Sequence, residues 1–220
     1  MTDPAENSYI AEYYSRRAKE YDKIYEKPER QEDLETVRGI LRKQFVEHDV
    51  LEIACGTGFW TAVIANVAKG IAAIDVSDEV LEIAKNRLAG SAKVSFHKED
   101  AYRLTYPRGS FSAGFAGFWF SHVPVKKRKM FFEVLHGKLR KGGLFMMIDN
   151  RYVEGSNHPI TDWDEEGNSY QTRKLDNGRE YKVLKNFLRE ADFRDLLADT
   201  ARELEFRELT YYWCLSYRIA

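Results

Sequence analysis

Between residues 50 and 149 the chain alternates short apolar runs with helix-period segments, and this alternation constrains its fold more than any other feature. VLEIAC (50–55) runs into glycines, TAVIANVAK follows with helical spacing, and IAAIDV (71–76) is a second apolar run. Two such strands joined through a helix lie parallel with a right-handed crossover. The pattern continues through a helix at 79–88, strands at 94–97 and 112–118, a helix at 126–139 and the strand LFMMID at 144–149, introduced by the turn Lys141-Gly142-Gly143. Five strands with interleaved helices predict a doubly wound sheet.

The flanks complete the prediction. At 9–26 the sequence YIAEYYSRRAKEYDKIYE places aromatic and aliphatic residues three and four apart, an amphipathic helix pattern, and a second helix is expected at 31–45. Near the end, TRKLDNGREYKV reads as a hairpin around Asn177-Gly178, a helix covers 188–199, and ELEFREL and WCLSYRIA alternate as two strands. The expected architecture is therefore α/β, a Rossmann-like, doubly wound, seven-stranded sheet in three αβα layers with a C-terminal antiparallel β-hairpin. With five scattered prolines and no repeat, one domain over 1–220 is expected. Its parts are N-terminal helices at 1–45, a ligand-binding core at 46–150, and a lid or specificity loop with the closing hairpin at 151–220.

Composition removes several function classes. Lys and Arg number 34 against 35 Asp and Glu, so no global positive field exists to gather a polyanion, and nucleic-acid binding is not expected. The basic run 126–129, which would keep RNA in play, reads better as a solvated helix face. No apolar run reaches the roughly 18 residues of a membrane span, and the N-terminal MTDPAENSYI lacks a secretory core, so the expected location is cytoplasmic. Cys55 and Cys214 have no metal-ligand spacing, and no metal site is expected.

The chemistry concentrates at the ends of the first strands. Glu52-Ile-Ala54-Cys-Gly56-Thr-Gly58-Phe-Trp60 forms a turn in which glycine lets the backbone approach a ligand. Asp75 ends the next strand 17 residues beyond Gly58, where a carboxylate can accept both hydroxyl hydrogens of a ribose. A dinucleotide fingerprint would want a third glycine where Thr61 stands, and Glu52 would repel a diphosphate while suiting an amine. S-adenosylmethionine (SAM) carries an ammonium and a sulfonium and no phosphate. Asp100, after the third strand, could accept from an adenine amino group while the Ala101 amide donates to a ring nitrogen. Each acid alone could be a solvated strand end, but three at consecutive strand ends point to a nucleoside.

These residues are similar to those of class I SAM-dependent methyltransferases, including quinone-pathway C-methyltransferases and many small-molecule enzymes, over about residues 9–150. Glu52, Ala54, Gly56 and Gly58 match the family's glycine motif, with Ala54 replacing a common glycine. The resemblance assigns Asp75, with Val76 beside it, to the ribose and Asp100 with Ala101 to the adenine. It matches FAGFWFSHVP to the active-site strand, which implies that the Phe118 carbonyl faces the methionine amino group. It also fits Tyr14, Ala18, Tyr21 and Asp22 to an N-terminal pattern in which Tyr21 covers the methionine end of SAM. Trp60 is placed near the cofactor but could equally anchor the core.

The resemblance implies methyl transfer from SAM to a small-molecule acceptor by a monomer or homodimer. SAM is already activated, so positioning and exclusion of water would dominate. His122, just past the fourth strand, is the candidate base, titrating near neutrality, or else a residue that orders the loop before Pro124. His158, in the long loop 152–170, is a weaker candidate, and that loop resembles a lid or specificity element. An enzyme using NAD or a nucleotide sugar and a non-catalytic SAM-binding protein are the alternatives.

Overall fold

The computed structural model describes residues 18–174 and 178–220, with the side chains of 18–21 excepted. The first half of the helix expected at 9–26 therefore lies outside the described residues, and in the second half Ala18–Tyr25 is a 3-10 helix. From there α1 (Gln31–Gln44) leads into β1 (Asp49–Ile53), α2 (Phe59–Ala65), β2 (Gly70–Asp75), α3 (Asp78–Arg87), β3 (Val94–Lys98), β4 (Phe111–Gly117), α4 (Arg128–Lys138) and β5 (Leu139–Asn150). The remainder is β6 (Asp162–Trp163), β7 (Ser169–Lys174), β8 (Glu180–Leu184), α5 (Glu190–Leu197), β9 (Ala201–Glu208) and β10 (Tyr212–Ile219).

Seven strands form one sheet in the order β3-β2-β1-β4-β5-β10-β9. The first five are parallel, and β10 runs antiparallel to both β5 and β9, as the C-terminal hairpin requires. Strand alternation divides the core into two layers. On β5, Leu144, Met146 and Ile148 join Leu34, Val37 and Leu41 of α1 on one face, with Trp60 and Ile64 of α2. Phe145 and Met147 face the other way, against Phe131, Phe132 and Leu135 of α4 and Phe193 and Leu197 of α5. The sheet is thus covered on both sides, which explains why its central strands read as continuous apolar runs.

Two features depart from the sequence reading. Lys141-Gly142-Gly143 does not begin β5 but interrupts it, with Gly142 at φ +70° and a register shift opposite Phe111 and Ala113. A Cβ on Gly143 would stand 2.7 Å from the Arg140 carbonyl oxygen and 3.2 Å from that of Ser112. Gly143→Ala should therefore cost about 1–3 kcal/mol, read as a lower urea midpoint with an unchanged slope. The expected hairpin forms as β7 and β8, but the long loop before it, expected as a lid or specificity element, contributes a third strand, so the insert is a second antiparallel sheet, β6-β7-β8. It is inserted between β5 and α5, so it opens at the carboxyl edge of the main sheet.

Candidate active site

Going outward from β1, the chain fills β2 and β3 on one side and then returns to β4 on the other, which opens a crevice at the carboxyl ends of β1 and β4. A cavity of about 390 Å³ occupies it. Glu52, Ala54 and Gly56 enter from β1, Asp75 and Val76 from β2, Asp100 and Ala101 from β3, Phe118 and His122 from β4, and Trp60 from α2. Gly58 does not line this cavity. At φ +76° it caps α2, and a Cβ there would meet Ala84 of α3 at 3.0 Å, so its small size serves helix packing. The Tyr21 side chain lies outside the described residues.

The loop is tied to the strand ends by its acids. Asp75 accepts from the Gly56 amide at 2.9 Å and from the Ser77 amide at 3.1 Å, one on each carboxylate oxygen. Two non-glycine residues in the cavity wall, Ala54 at φ +51° and Phe118 at φ +57°, hold left-handed backbone where the chain leaves β1 and β4. Such conformations persist only where surrounding structure enforces them. Here the Cys55 amide donates to the Ile74 carbonyl and the Phe118 amide to the Ile148 carbonyl. The N-terminal 3-10 helix is pinned over the same loop, because Asp22 accepts from Thr57 at 2.7 Å and pairs with Arg87.

Glu52 is the most unusual group. It is 2% exposed, and its Oε2 has no hydrogen-bond partner among the described residues. Burial, with the Asp75 charge adding to it, pushes its carboxyl up to about 8. Burying an acid without a partner is costly, and the cost falls when a cation arrives to satisfy it. The same cavity is otherwise broadly apolar and aromatic. Tyr25 stacks on Phe59 at 4.0 Å and accepts from Trp60 Nε1 at 3.1 Å, while Tyr102 and Trp119 close the opposite side. Sequence reasoning takes Tyr25 for part of a buried helix stripe and passes over Tyr102 and Trp119, since nothing in aromatic spacing separates a cavity wall from a core stripe.

His122 is buried, and its Nδ1 lies 2.5 Å from the Leu184 carbonyl oxygen. A carbonyl can only accept, so the ring proton sits on Nδ1 and Nε2 is the basic nitrogen. Burial, together with the Lys185 and Arg173 charges, holds the imidazole well below the ordinary histidine range against the opposing pull of Asp149. The expectation that it titrates near neutrality is corrected accordingly. Asp149, at the end of β5, accepts from Lys185 at 2.9 Å and from the Ser121 amide at 3.0 Å. Lys185 also donates to the Ser121 hydroxyl at 2.6 Å.

A methyltransferase-domain family model matches residues 50–143, which carry this cradle. Along its whole length the chain superposes on DhpI in its complex with SAH, with a TM-score of 0.82 and 25% identity over 99% of that chain. Residues 50–143 thus form a class I SAM-dependent methyltransferase domain. A second DhpI structure, described as the DhpI-SAM-HEP complex, covers 99% of the methyltransferase described here with a TM-score of 0.81 and 25% identity. A demethylmenaquinone methyltransferase from Clavibacter sepedonicus is 34% identical to it over 100 residues, 46% of this chain. That match spans only 40% of the length of the curated relative. Among the described residues, this methyltransferase has no helix long and apolar enough to cross a membrane and no group of side chains able to hold a metal ion.

Proposed function

We propose that the protein transfers a methyl group from SAM to a small-molecule acceptor, with residues 46–150 holding the cofactor and 151–220 shaping the acceptor side. The observation that carries this reading is Glu52: a buried acid with an unsatisfied oxygen, in a cavity that also holds Asp75 and Asp100. Its charge suits the ammonium of SAM. A diphosphate in its place would meet three carboxylates, which disfavours an NAD or nucleotide-sugar enzyme.

When bound, SAM supplies a methyl group activated on a sulfonium. The residues around it then have separate tasks. Asp75, already fixed by two amides, accepts from the ribose hydroxyls, and Asp100, which accepts from the Tyr102 amide at 2.9 Å, stands at the adenine side with Ala101. Val76, 47% exposed, offers an apolar rim for the flat ring. Trp60, Phe118 and Tyr25 keep water from the methionine end, and a Tyr21 side chain over that end would extend the same cover. His122 Nε2 takes a proton from an acceptor atom that must lose one.

Glu52 provides the test. A carboxyl that titrates at about 8 when empty must ionise to receive an ammonium. Below pH 8 cofactor binding therefore releases a proton, and affinity should climb with pH by up to about tenfold per unit, levelling off near pH 8. Calorimetry in buffers of different ionisation enthalpy would count that proton. A flat affinity between pH 6 and 8 with no proton released would exclude Glu52 as the ammonium's partner, and Glu52→Gln should remove the dependence.

A further inference from the structure

A second cavity of about 360 Å³ adjoins the first, and the two share Phe118 and His122. Its charged lining is one-sided: Lys27, Arg30, Arg173 and Lys185 border it, and no carboxylate does so among the described residues. These cations come from three places, the turn before α1, the inserted sheet and the segment just after it. Resting on the reading of the protein as a small-molecule methyltransferase, we infer that its acceptor carries a compact oxyanion, which this cavity holds so that the nucleophilic atom lies beside His122.

Three observations support the assignment. Arg30 is 6% exposed, yet its hydrogen bonds go to neutral oxygens, the Ser156 hydroxyl at 2.8 Å, the Ser156 carbonyl at 3.2 Å and the Asn150 amide oxygen at 3.5 Å. Its Nε has no partner among the described residues. A buried guanidinium served only by neutral groups is poised for a charge-assisted pair. Lys185 is held below the ordinary lysine range by burial and by the Arg173 and Arg30 charges, even with Asp149 beside it. An anion entering the cavity relieves that repulsion. Finally, Ser156, Asn157 and Gln171 line the same space with neutral hydrogen-bonding groups, which suits several oxygens on one centre.

The test is calorimetric titration of the SAH-loaded protein with inorganic phosphate and, separately, acetate, at low ionic strength. One site is expected, with a dissociation constant in the low millimolar range or tighter, for at least one of the two anions. Arg30→Gln should weaken it at least tenfold while leaving SAH affinity within twofold. Because Arg30 also braces Ser156, Lys27→Gln is the second variant. Lys27 is half-buried and its side chain has no hydrogen bond among the described residues, so its change should weaken the anion several-fold without altering the thermal midpoint. Lys126→Gln, on the exposed pair with Glu166, should change nothing. Failure of both anions to bind, or equal binding by the wild type, Arg30→Gln and Lys27→Gln, would overturn the inference and leave the methyltransferase reading standing. Failure of SAH to bind would remove both.

Discussion

His122→Asn is expected to lower the single-turnover rate by about 10²–10⁴-fold with cofactor affinity nearly intact. Asparagine keeps a donor for the Leu184 carbonyl that now fixes the ring, so the loop has the means to stay in place. The loss would then report the missing base rather than a disordered segment. Because His122 is held neutral well below its ordinary range by burial and by Lys185 and Arg173, it is in the basic form throughout the neutral region. The acid limb of kcat/KM, which reports the free enzyme, should fall below pH 6.5. An anion bound beside Lys185 offsets the cations that depress His122, so the acid limb of kcat should lie at higher pH than that of kcat/KM. The defect of the variant should shrink at high pH, where an acceptor ionises unaided. Wild-type single-turnover kinetics across the pH range would eliminate the base. A raised KM with unchanged chemistry would assign His122 to ordering the loop.

Asp149→Ala should destabilise the protein by about 3–5 kcal/mol in urea unfolding. Asp149 is 1% exposed, and its loss strands the buried Lys185 charge and the Ser121 amide at once. Lys185→Met on top of Asp149→Ala should recover much of the loss, because the stranded charge goes with it. The pH dependence has a definite sign. Burial alone would raise the Asp149 carboxyl, but the charge and hydrogen bond of Lys185 outweigh it and hold the group below the usual aspartate range. Its contribution is thus complete above the unfolded value near pH 4 and disappears as pH falls through the lower folded value. Equal acid sensitivity in wild type and Asp149→Ala would contradict this.

What could be read beforehand depended on how local the signal was. The glycine turn and Asp75 and Asp100 announce themselves because each sits at the end of an apolar run, and strand ends in such a sheet converge on one crevice. The main sheet was legible for the same reason, since its central strands β1, β4 and β5 are covered on both faces and read as apolar runs. Gly58 was assigned to the ligand because sequence cannot distinguish a glycine facing a cofactor from one facing Ala84. The cationic cavity was invisible. Lys27, Arg30, Arg173 and Lys185 are spread over more than 150 residues, each is ordinary in its own neighbourhood, and only the folded insert brings them together. The tuning of His122 was missed likewise, because it depends on charges 51 and 63 residues away in the chain.

The inserted sheet β6-β7-β8 leaves the main sheet after β5 and returns to it before α5, both times at the carboxyl edge. Its polar junction with the core includes Lys185 with Asp149 and Ser121, the Asn186 amide donating to the Ser121 carbonyl, the Leu184 carbonyl with His122, Ser156 with Arg30, and Asn168 accepting from the Val125 amide. The donor cradle of Glu52, Asp75 and Asp100 lies wholly outside it. A segment anchored this way can change its inward-facing residues with little consequence for the cradle, provided the Lys185 anchor is kept. On the proposed reading, in which this segment shapes the acceptor side, acceptor preference is exchangeable cargo on a constant chassis. Grafting a foreign 151–184 segment onto this core should yield chimaeras that retain donor affinity while acquiring a new choice of acceptor.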